Sequence, residues 1–419
     1  VTPDETATPP AAEALGASGA AVRDAAPADA VGGRVPRYVA RPPDTAAAAD
    51  LLAAAHRLGL ATVMRGNGTA GDWGAPPDRV DLVLETTALR TVEHAAGDLV
   101  VRAGAGTPLA DLQAQLAAAG QRLTLDPLVA GGTVGGAVAT GLSGPRRLLH
   151  GPLRDLIIGM TSVRADGVTA SSGGRVVKNV AGYDLGKLHT GALGTLGLTT
   201  SVTFRLHPRP EAQRTVSAAA PDTETARRWT RAVLESGTVP AAVELDRPPD
   251  GPLTLSVLVE GAEGGIDARA DTVAGLMGGA AVAHGPPGPD WGALPGGPED
   301  TLIKISVPIG EAARAADCAH EAARQQHTTA AVSGSAGAGV LFAALPAAAG
   351  AATVGAVARS LRAGLDGAVT VARAAPGLAD DGAEPDRWGD VPGLDLMRAV
   401  KQRFDPHRLL APGRFTGGI

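Results

Sequence analysis

The chain has 419 residues, enough for two or three domains, with 44% hydrophobic against 19% charged residues, a balance that supports a packed globular core. A net charge of −6 without a basic block argues against nucleic acid as a partner. The single cysteine, Cys318, excludes an internal disulfide and any cysteine-ligated metal or iron–sulfur site, and no apolar run reaches the roughly 18–20 residues that span a bilayer.

Residues 1–34 are rich in Ala, Pro, Thr and Asp and carry few large apolar side chains. Such a stretch buries too little surface to offset its ordering entropy, which predicts a disordered tail with at most one short helix near residues 11–15. It also lacks the basic start and Leu-rich centre of a signal peptide, so the expected location is cytoplasmic.

A strand is expected at 37–41, then a helix from Asp44-Thr45 to Leu58 with Leu51, Leu52, Ala55 and Leu58 on one face, closed by Gly59. A strand over 61–65 runs into Arg65-Gly66-Asn67-Gly68-Thr69, a glycine turn that fits either an anion cradle or a hairpin loop. Strands follow at 81–85, 91–94 and 99–103. Thr107 is then expected to cap a helix through Leu116 that stops at Gly120, and 123–125 reads as a strand.

That strand delivers the chain to Gly131-Gly132-Thr133-Val134-Gly135-Gly136-Ala137, continuing through Gly141 and Ser143-Gly144. Glycine lets backbone approach a ligand closely, and successive N–H groups in such turns converge on anions. The run predicts a loop, neither helix nor strand. With 57 glycines in the chain, it reads equally as an anion cradle or as a tight loop. Neither glycine cluster meets the context of a nicotinamide-type Rossmann unit, a helix opening in a βαβ unit with an acidic residue about twenty positions later, which argues against a standard dinucleotide fold.

An Asp166-Gly167 turn predicts a hairpin between 160–164 and 168–171. Lys178-Asn179-Val180-Ala181-Gly182-Tyr183-Asp184 and Gly191-Ala192-Leu193-Gly194-Thr195-Leu196-Gly197-Leu198-Thr199 precede a strand at 201–206. Beyond Pro208, strands are expected at 215–219, 242–245, 253–260, 302–307, 340–345 and 368–372. Helices are expected at 223–235, 266–276, 311–326 and 352–365, and 285–298 reads as a surface loop. This order fits an antiparallel sheet with helices on one face.

The ordered series R-G-N-G-T, G-G-T-V-G-G, S-G-P-R-R, H-G-P-L-R-D, K-N-V-A-G-Y-D and G-A-L-G-T-L-G-L-T resembles the PCMH-type FAD-binding fold of the vanillyl-alcohol-oxidase family of FAD-linked oxidases. Within it, the sequence is most similar to the FAD-binding E subunits of glycolate oxidases. The resemblance implies an α+β architecture: a disordered tail (1–34), a two-lobed FAD-binding domain (35–208, lobes 35–128 and 129–208), an α+β cap with an antiparallel sheet (209–380), and a C-terminal segment (381–419) returning to the FAD domain through Phe404-Asp405-Pro406 and Pro412-Gly413-Arg414. It further implies that Arg65, Gly66, Asn67, Gly68 and Thr69 form a pyrophosphate loop faced by Thr133, Gly135 and Gly136. Ser143, Gly144 and Gly151 would then lie along the cofactor, and Gly194, Thr195, Gly197 and Leu198 would approach the adenine end or support that loop.

Three departures from the family pattern shape the expectations. Thr69 stands where covalently flavinylated relatives carry histidine, so FAD is expected to be non-covalent. Ala192-Leu193 replaces the Ser-Glu pair of catalytic relatives, and Ala411 replaces an asparagine. His150, His189, Lys304, Arg314, Arg324 and Arg373 are candidates for contacting substrate, and no catalytic residue is assigned. No His/Asp/Glu cluster has metal-ligand spacing. The implied function is an FAD-dependent oxidoreductase acting on CH–OH groups of a 2-hydroxy acid, glycolate or D-lactate. Its implied partners are a homologous FAD-containing subunit and an iron–sulfur subunit of a glycolate oxidase complex, which would hold it at the inner face of a membrane. A flavin-binding structural or electron-relay subunit and a stand-alone alcohol oxidoreductase are the alternatives.

Overall fold

The computed structural model describes residues 11–174, 183–288, 290–378 and 385–419. Among them no helix is long and apolar enough to cross a membrane. The Lys178–Gly182 part of the K-N-V-A-G-Y-D motif lies outside the described residues.

The first lobe is a four-stranded sheet in the order Ala21–Asp24, Tyr38–Arg41, Leu82–Glu85, Thr62–Arg65, with its last three strands parallel. Helix Thr45–Arg57 packs on it. Asp44 caps that helix by accepting from the Ala47 N–H at 2.9 Å, and Gly59 (φ 63°) ends it in the left-handed region. Its buried Leu51, Leu52 and Ala55 meet Leu82 and Leu84 of the sheet.

The expected disorder of residues 1–34 fails over 11–34. Helix Ala11–Gly16 buries Leu15 completely in the core of this lobe, and Ala21–Asp24 pairs antiparallel with Tyr38–Arg41. One fully buried leucine, backbone pairing and a buried carboxylate, Asp29, provide the order that bulk hydrophobicity did not suggest.

The second sheet runs Val92–Ala95, Val100–Gly104, Leu198–Arg205, Ile157–Val163, Thr169–Gly173, all antiparallel. The two sheets therefore divide between residues 85 and 92 rather than at 128, because Val100–Gly104 finds its neighbour about a hundred residues later. Two local expectations change as well. Pro108, not Thr107, is the N-cap of helix Leu109–Ala118. Residues 123–125 make no strand ladder: the Gln113 amide donates to the Leu123 carbonyl at 2.6 Å and to that of Leu125 at 3.1 Å.

The cap is an eight-stranded antiparallel sheet in the order Ala281–His284, Ala212–Ala220, Leu253–Gly261, Ala242–Arg247, Ala331–Ser335, Val340–Leu345, Thr301–Ser306, Ala368–Arg373. Side chains alternate across it. Val243, Leu245, Ile303, Ile305, Leu341 and Ala343 pack against helices Thr223–Glu235, Ile266–Leu276, Ala312–Gln325 and Ala351–Gly364. The opposite face turns Leu302, Phe342 and Ala344 onto Trp73, Leu128, Leu142 and Leu193 of the first two lobes. Part of the expected surface loop closes on this junction, where Gly292 packs against Pro145.

The C-terminus returns to the first lobe. The Thr62 N–H donates to the Leu409 carbonyl at 2.7 Å and the Ala411 N–H to the Thr62 carbonyl at 2.9 Å, extending the parallel sheet by one bridge.

Candidate functional site: a cavity between two glycine turns

A cavity of about 520 Å³ opens where the first sheet meets the second lobe, within the size range of small-molecule sites. Strand Thr62–Arg65 delivers the turn 65–69 into it, with Gly68 at φ 80°. Among the described residues, the backbone N–H groups of Gly66, Asn67, Gly68, Thr69 and Ala70 donate to no protein acceptor. Five unpaired donors around one concavity can receive an anion. The Asn67 amide donates to the Gly131 carbonyl at 2.9 Å and joins this turn to the second glycine run.

That second run is not a loop throughout. Thr133 caps a short helix, Val134–Thr140, by accepting from the Gly136 N–H at 3.2 Å, and Gly141 (φ 65°) terminates it. Expectation failed here because the two glycines fall inside the helix, where close packing outweighs their low propensity. A Cβ on Gly66 would collide with the Thr133 hydroxyl, so only glycine permits the two turns to meet.

Arg65, Gly66, Asn67, Gly68, Thr69, Thr133 and Gly136 all line the cavity, whereas eight other expected positions do not. Gly135 faces away: a Cβ there would stand 2.9 Å from that of Ala105. The Ser143 hydroxyl accepts from the Leu153 N–H at 2.9 Å, and Gly144 packs on Asp126. Gly151 (φ 84°) turns against Asp155. Gly194 and Gly197 approach Met64 and His189, Leu198 is core, and the Thr195 carbonyl accepts from buried Lys401 at 2.8 Å.

Further residues line the cavity besides the expected ones. Residues 28–31 form one wall from within the supposed tail, and Ala139 and Thr140 extend the helix face. Leu193 lines the cavity in a left-handed conformation (φ 52°), held by its N–H donating to the Ala139 carbonyl at 2.9 Å. The departure from Ser-Glu at 192–193 was the available signal. Arg414 lines it too, donating to the carbonyls of Gly71 at 2.9 Å and Trp73 at 2.6 Å, with burial lowering its pKa to about 10.

Charge within the cavity is internally matched. The Arg65 guanidinium lies 2.7 Å from Asp29 and 2.8 Å from Glu85. Hydrogen bonds from Arg23, from the Ala26 N–H and from Arg65 hold the Asp29 carboxyl far below the usual range. The histidines lie elsewhere. Burial lowers both His150 and His189 to about 4, so both are neutral near pH 7, and neither lines the cavity. Of the candidate cations, Arg314 pairs with Glu311, Arg324 with Glu321, and Arg373 donates to the Gly297 and Asp300 carbonyls. Lys304, on strand Thr301–Ser306, is desolvated, and burial lowers its pKa. Among the described residues, no three His, Cys, Asp or Glu side chains form a metal-binding group.

Residues 36–172 match the FAD binding domain family and residues 386–415 the C-terminal domain of FAD linked oxidases. The chain is 43% identical over 123 residues to glycolate oxidase subunit GlcE of Escherichia coli (strain K12), covering 29% of this chain and 35% of that one. It is 33% identical over 171 residues to a D-lactate dehydrogenase of Archaeoglobus fulgidus, covering 41% of this chain and 39% of that one. With glycolate oxidase subunit GlcD of Bacillus subtilis (strain 168) it shares 35% identity over 142 residues, 34% of this chain and 29% of that one. The chain thus spans well under half the length of these curated relatives. A solved alkyldihydroxyacetonephosphate synthase shares the fold, with a TM-score of 0.67 at 15% identity over 90% of this chain and 76% of that one. The unpaired amides of the glycine turn, the cavity between two α+β lobes and both domain matches agree: residues 36–172 form a PCMH-type FAD-binding domain and residues 386–415 belong to the C-terminal domain of FAD linked oxidases, with FAD as the cofactor.

Proposed function

We propose that this chain is the FAD-binding component of a 2-hydroxy-acid oxidoreductase of the glycolate oxidase type, acting on glycolate or D-lactate. The observation that carries this reading is the row of unpaired amides at 66–70 facing Thr133 and Gly136 across one cavity. In this reading the amides hold the pyrophosphate, Thr133 and Gly136 border it, and Leu193 and Thr140 exclude water alongside. Bound FAD supplies the hydride acceptor for a C–H bond beside a hydroxyl. Thr69 offers no nucleophile for a histidyl linkage, so FAD is held non-covalently. With one cysteine in the sequence given, electrons leave through other chains, a homologous FAD-containing subunit and an iron–sulfur subunit, and the complex would sit at the inner face of a membrane.

A second reading is an electron-relay or structural subunit without a substrate site. One observation favours it. Among the described residues, the only carboxylates lining the cavity are Asp29 and Glu85, and both are committed to Arg65, leaving no free carboxylate base among them.

The experiment is an anaerobic titration of the purified chain with glycolate and with D-lactate, followed by its visible spectrum. Flavin near one per chain that bleaches supports the first reading. Flavin that bleaches only when partner subunits are added supports the second. Absence of flavin absorbance overturns both, and flavin retained by acid-precipitated protein overturns non-covalent binding.

A further inference from the structure

An apolar groove runs along the outer side of the loop that carries Leu193. Leu193 itself lines the cofactor cavity, whereas its neighbours Ala192 and Leu196 line the groove, so the two are separate spaces. Leu188 adds to one wall, and Leu396 and Val400 of helix Leu394–Phe404 belong to the other. The groove measures about 270 Å³, below the roughly 300–1,000 Å³ of small-molecule sites, which suits a few inserted side chains better than a whole ligand.

Helix Leu394–Phe404 rests on the molecule lightly. Of its 11 residues only Lys401 is buried. Leu396 is 70% exposed, and with Val400 and Arg403, one and two helical turns further on, it forms a stripe on the outer face, with Ala399 beside it. A single exposed leucine is ordinary. One that borders an apolar groove makes a contiguous patch, the feature that marks an interaction surface.

The charges on this helix select what covers the patch. Across the groove, Lys187 pairs with Asp184 at 3.3 Å, and on the helix Arg398 pairs with Asp395 at 3.3 Å. The Asp395 side chain is still 99% exposed, and its Oδ2 accepts from no group among the described residues. Arg403 is exposed and makes no ion pair among them. Asp395 and Arg403 lie four residues to either side of Ala399, one towards each end of the stripe. A parallel neighbour of the same kind would set like charges side by side. An antiparallel copy sets Asp395 of each helix against Arg403 of the other, with the small Ala399 at the centre where the backbones come closest. That is the self-complementarity a closed twofold contact requires. Exposed pairs of this sort fix register more than they add affinity, and covering Leu396 supplies the attraction.

We propose that the groove and the outer stripe of helix Leu394–Phe404 form a dimer interface. A second copy of this chain packs antiparallel about a twofold axis at Ala399, and Leu396 of each copy is covered by the groove of the other. The helix is roughly 16 Å long, so the contact falls at the low end of specific interfaces, roughly 1,000–1,200 Å² in total, and the dimer dissociates at micromolar concentration. The interface does not depend on which substrate the flavin oxidises.

The test is sedimentation velocity of the flavin-loaded chain at physiological ionic strength, from submicromolar to well above micromolar concentration. The sedimenting mass is expected to rise from that of one chain to that of two. Leu396→Glu should stay at one chain throughout, with wild-type Tm and flavin content, because this side chain stands mostly in water and outside the cofactor cavity. Asp395→Arg and Arg403→Asp should each weaken the dimer about tenfold, since each sets like charges against one another at both ends of the contact. The two exchanges together restore opposite charges and should return the affinity to within about threefold of wild type. A wild type that remains one chain at every concentration overturns the proposal. So does a dimer that survives Leu396→Glu, or one that the double exchange does not recover. Association that appears only when a different protein is added overturns a second copy as the occupant.

Discussion

Asp29 Oδ1 stands 2.7 Å from Arg65 Nη2, so a residue from the N-terminal segment fixes the first side chain of the glycine turn. Glu85 binds the same guanidinium nitrogen at 2.8 Å, and the Asp29 side chain is only 8% exposed. Replacing Asp29 with Asn should therefore act on both stability and the cavity. We expect Asp29→Asn to cost about 2 kcal/mol in urea denaturation, as for a lost charge-assisted hydrogen bond. The sign with pH follows from its lowered pKa. The contribution of Asp29 is complete above the unfolded value of 3.8 and is lost as pH falls below it, so wild type and variant should converge in acid. Flavin affinity should fall as well, because Arg65 and residues 28–31 lose their mutual anchor.

Gly135 and Gly136 are adjacent and should fail differently. A side chain at Gly136 meets only the Thr133 hydroxyl at 3.3 Å and otherwise projects along the cavity, whereas one at Gly135 strikes Ala105. Gly136→Val should leave the circular dichroism spectrum native and reduce flavin occupancy at least tenfold. Gly135→Val should lower Tm in apoprotein and holoprotein alike. Equal melting temperatures for the two apoproteins would reverse these assignments.

Much of this division of labour is hidden in the sequence, and the reasons are specific. Helices Thr223–Glu235 and Ile266–Leu276 are legible to the residue, the first from the Asp222 cap and its apolar spacing. Strand Ala331–Ser335 is not, because Ala-Val-Ser-Gly-Ser offers almost no strand-forming bulk and is held by neighbours on both sides. Motif order locates the two glycine turns, since each needs glycine for a local reason. It does not reveal which face each glycine presents, so Gly135, Ser143, Gly144 and Gly151 were grouped with residues that do line the cavity. The wall made by residues 28–31 depends on pairing between Asp29 and Arg65, a contact that local composition does not encode.

Glu260 links the cap to the flavin domain. It lies 2.6 Å from Arg122 and 2.9 Å from Arg146, with its side chain 3% exposed. Burial alone would raise its pKa, but the two guanidinium groups hold it down to about 2. The stabilisation is therefore full above the unfolded value of 4.5 and disappears as pH falls from there towards 2. Glu260→Gln should cost about 3 kcal/mol at pH 7, since it leaves two partly buried arginines under-compensated. The difference from wild type should shrink steadily below pH 4.5 in acid titrations of stability.

Lys401 performs a comparable task at the C-terminus. Its ammonium donates to the carbonyls of Thr195 at 2.8 Å and Leu410 at 3.0 Å and to the Asp405 carboxylate at 2.8 Å, using all three hydrogens. Asp405, fully buried, also accepts from the N–H groups of Leu409 and Leu410. Lys401→Met removes one partner of a buried pair and should cost about 3–5 kcal/mol in denaturant unfolding. Hydrogen exchange should report it first at Thr62 and Ala411, the amides that pair the returning segment with the first sheet.

The bridge between Thr62 and Leu410 has a topological consequence. The cap strands and helices between residues 212 and 373 are spliced into a flavin domain whose own halves lie on either side of them in the chain. A single backbone cut within the cap would therefore leave both fragments anchored, one through the two lobes and the other through the C-terminal strand bridge and Lys401. The nicked molecule should migrate as one species until denatured. Conversely, removing everything after residue 405 would spare every cap element and both glycine turns, yet open the edge of the first sheet beneath the cofactor.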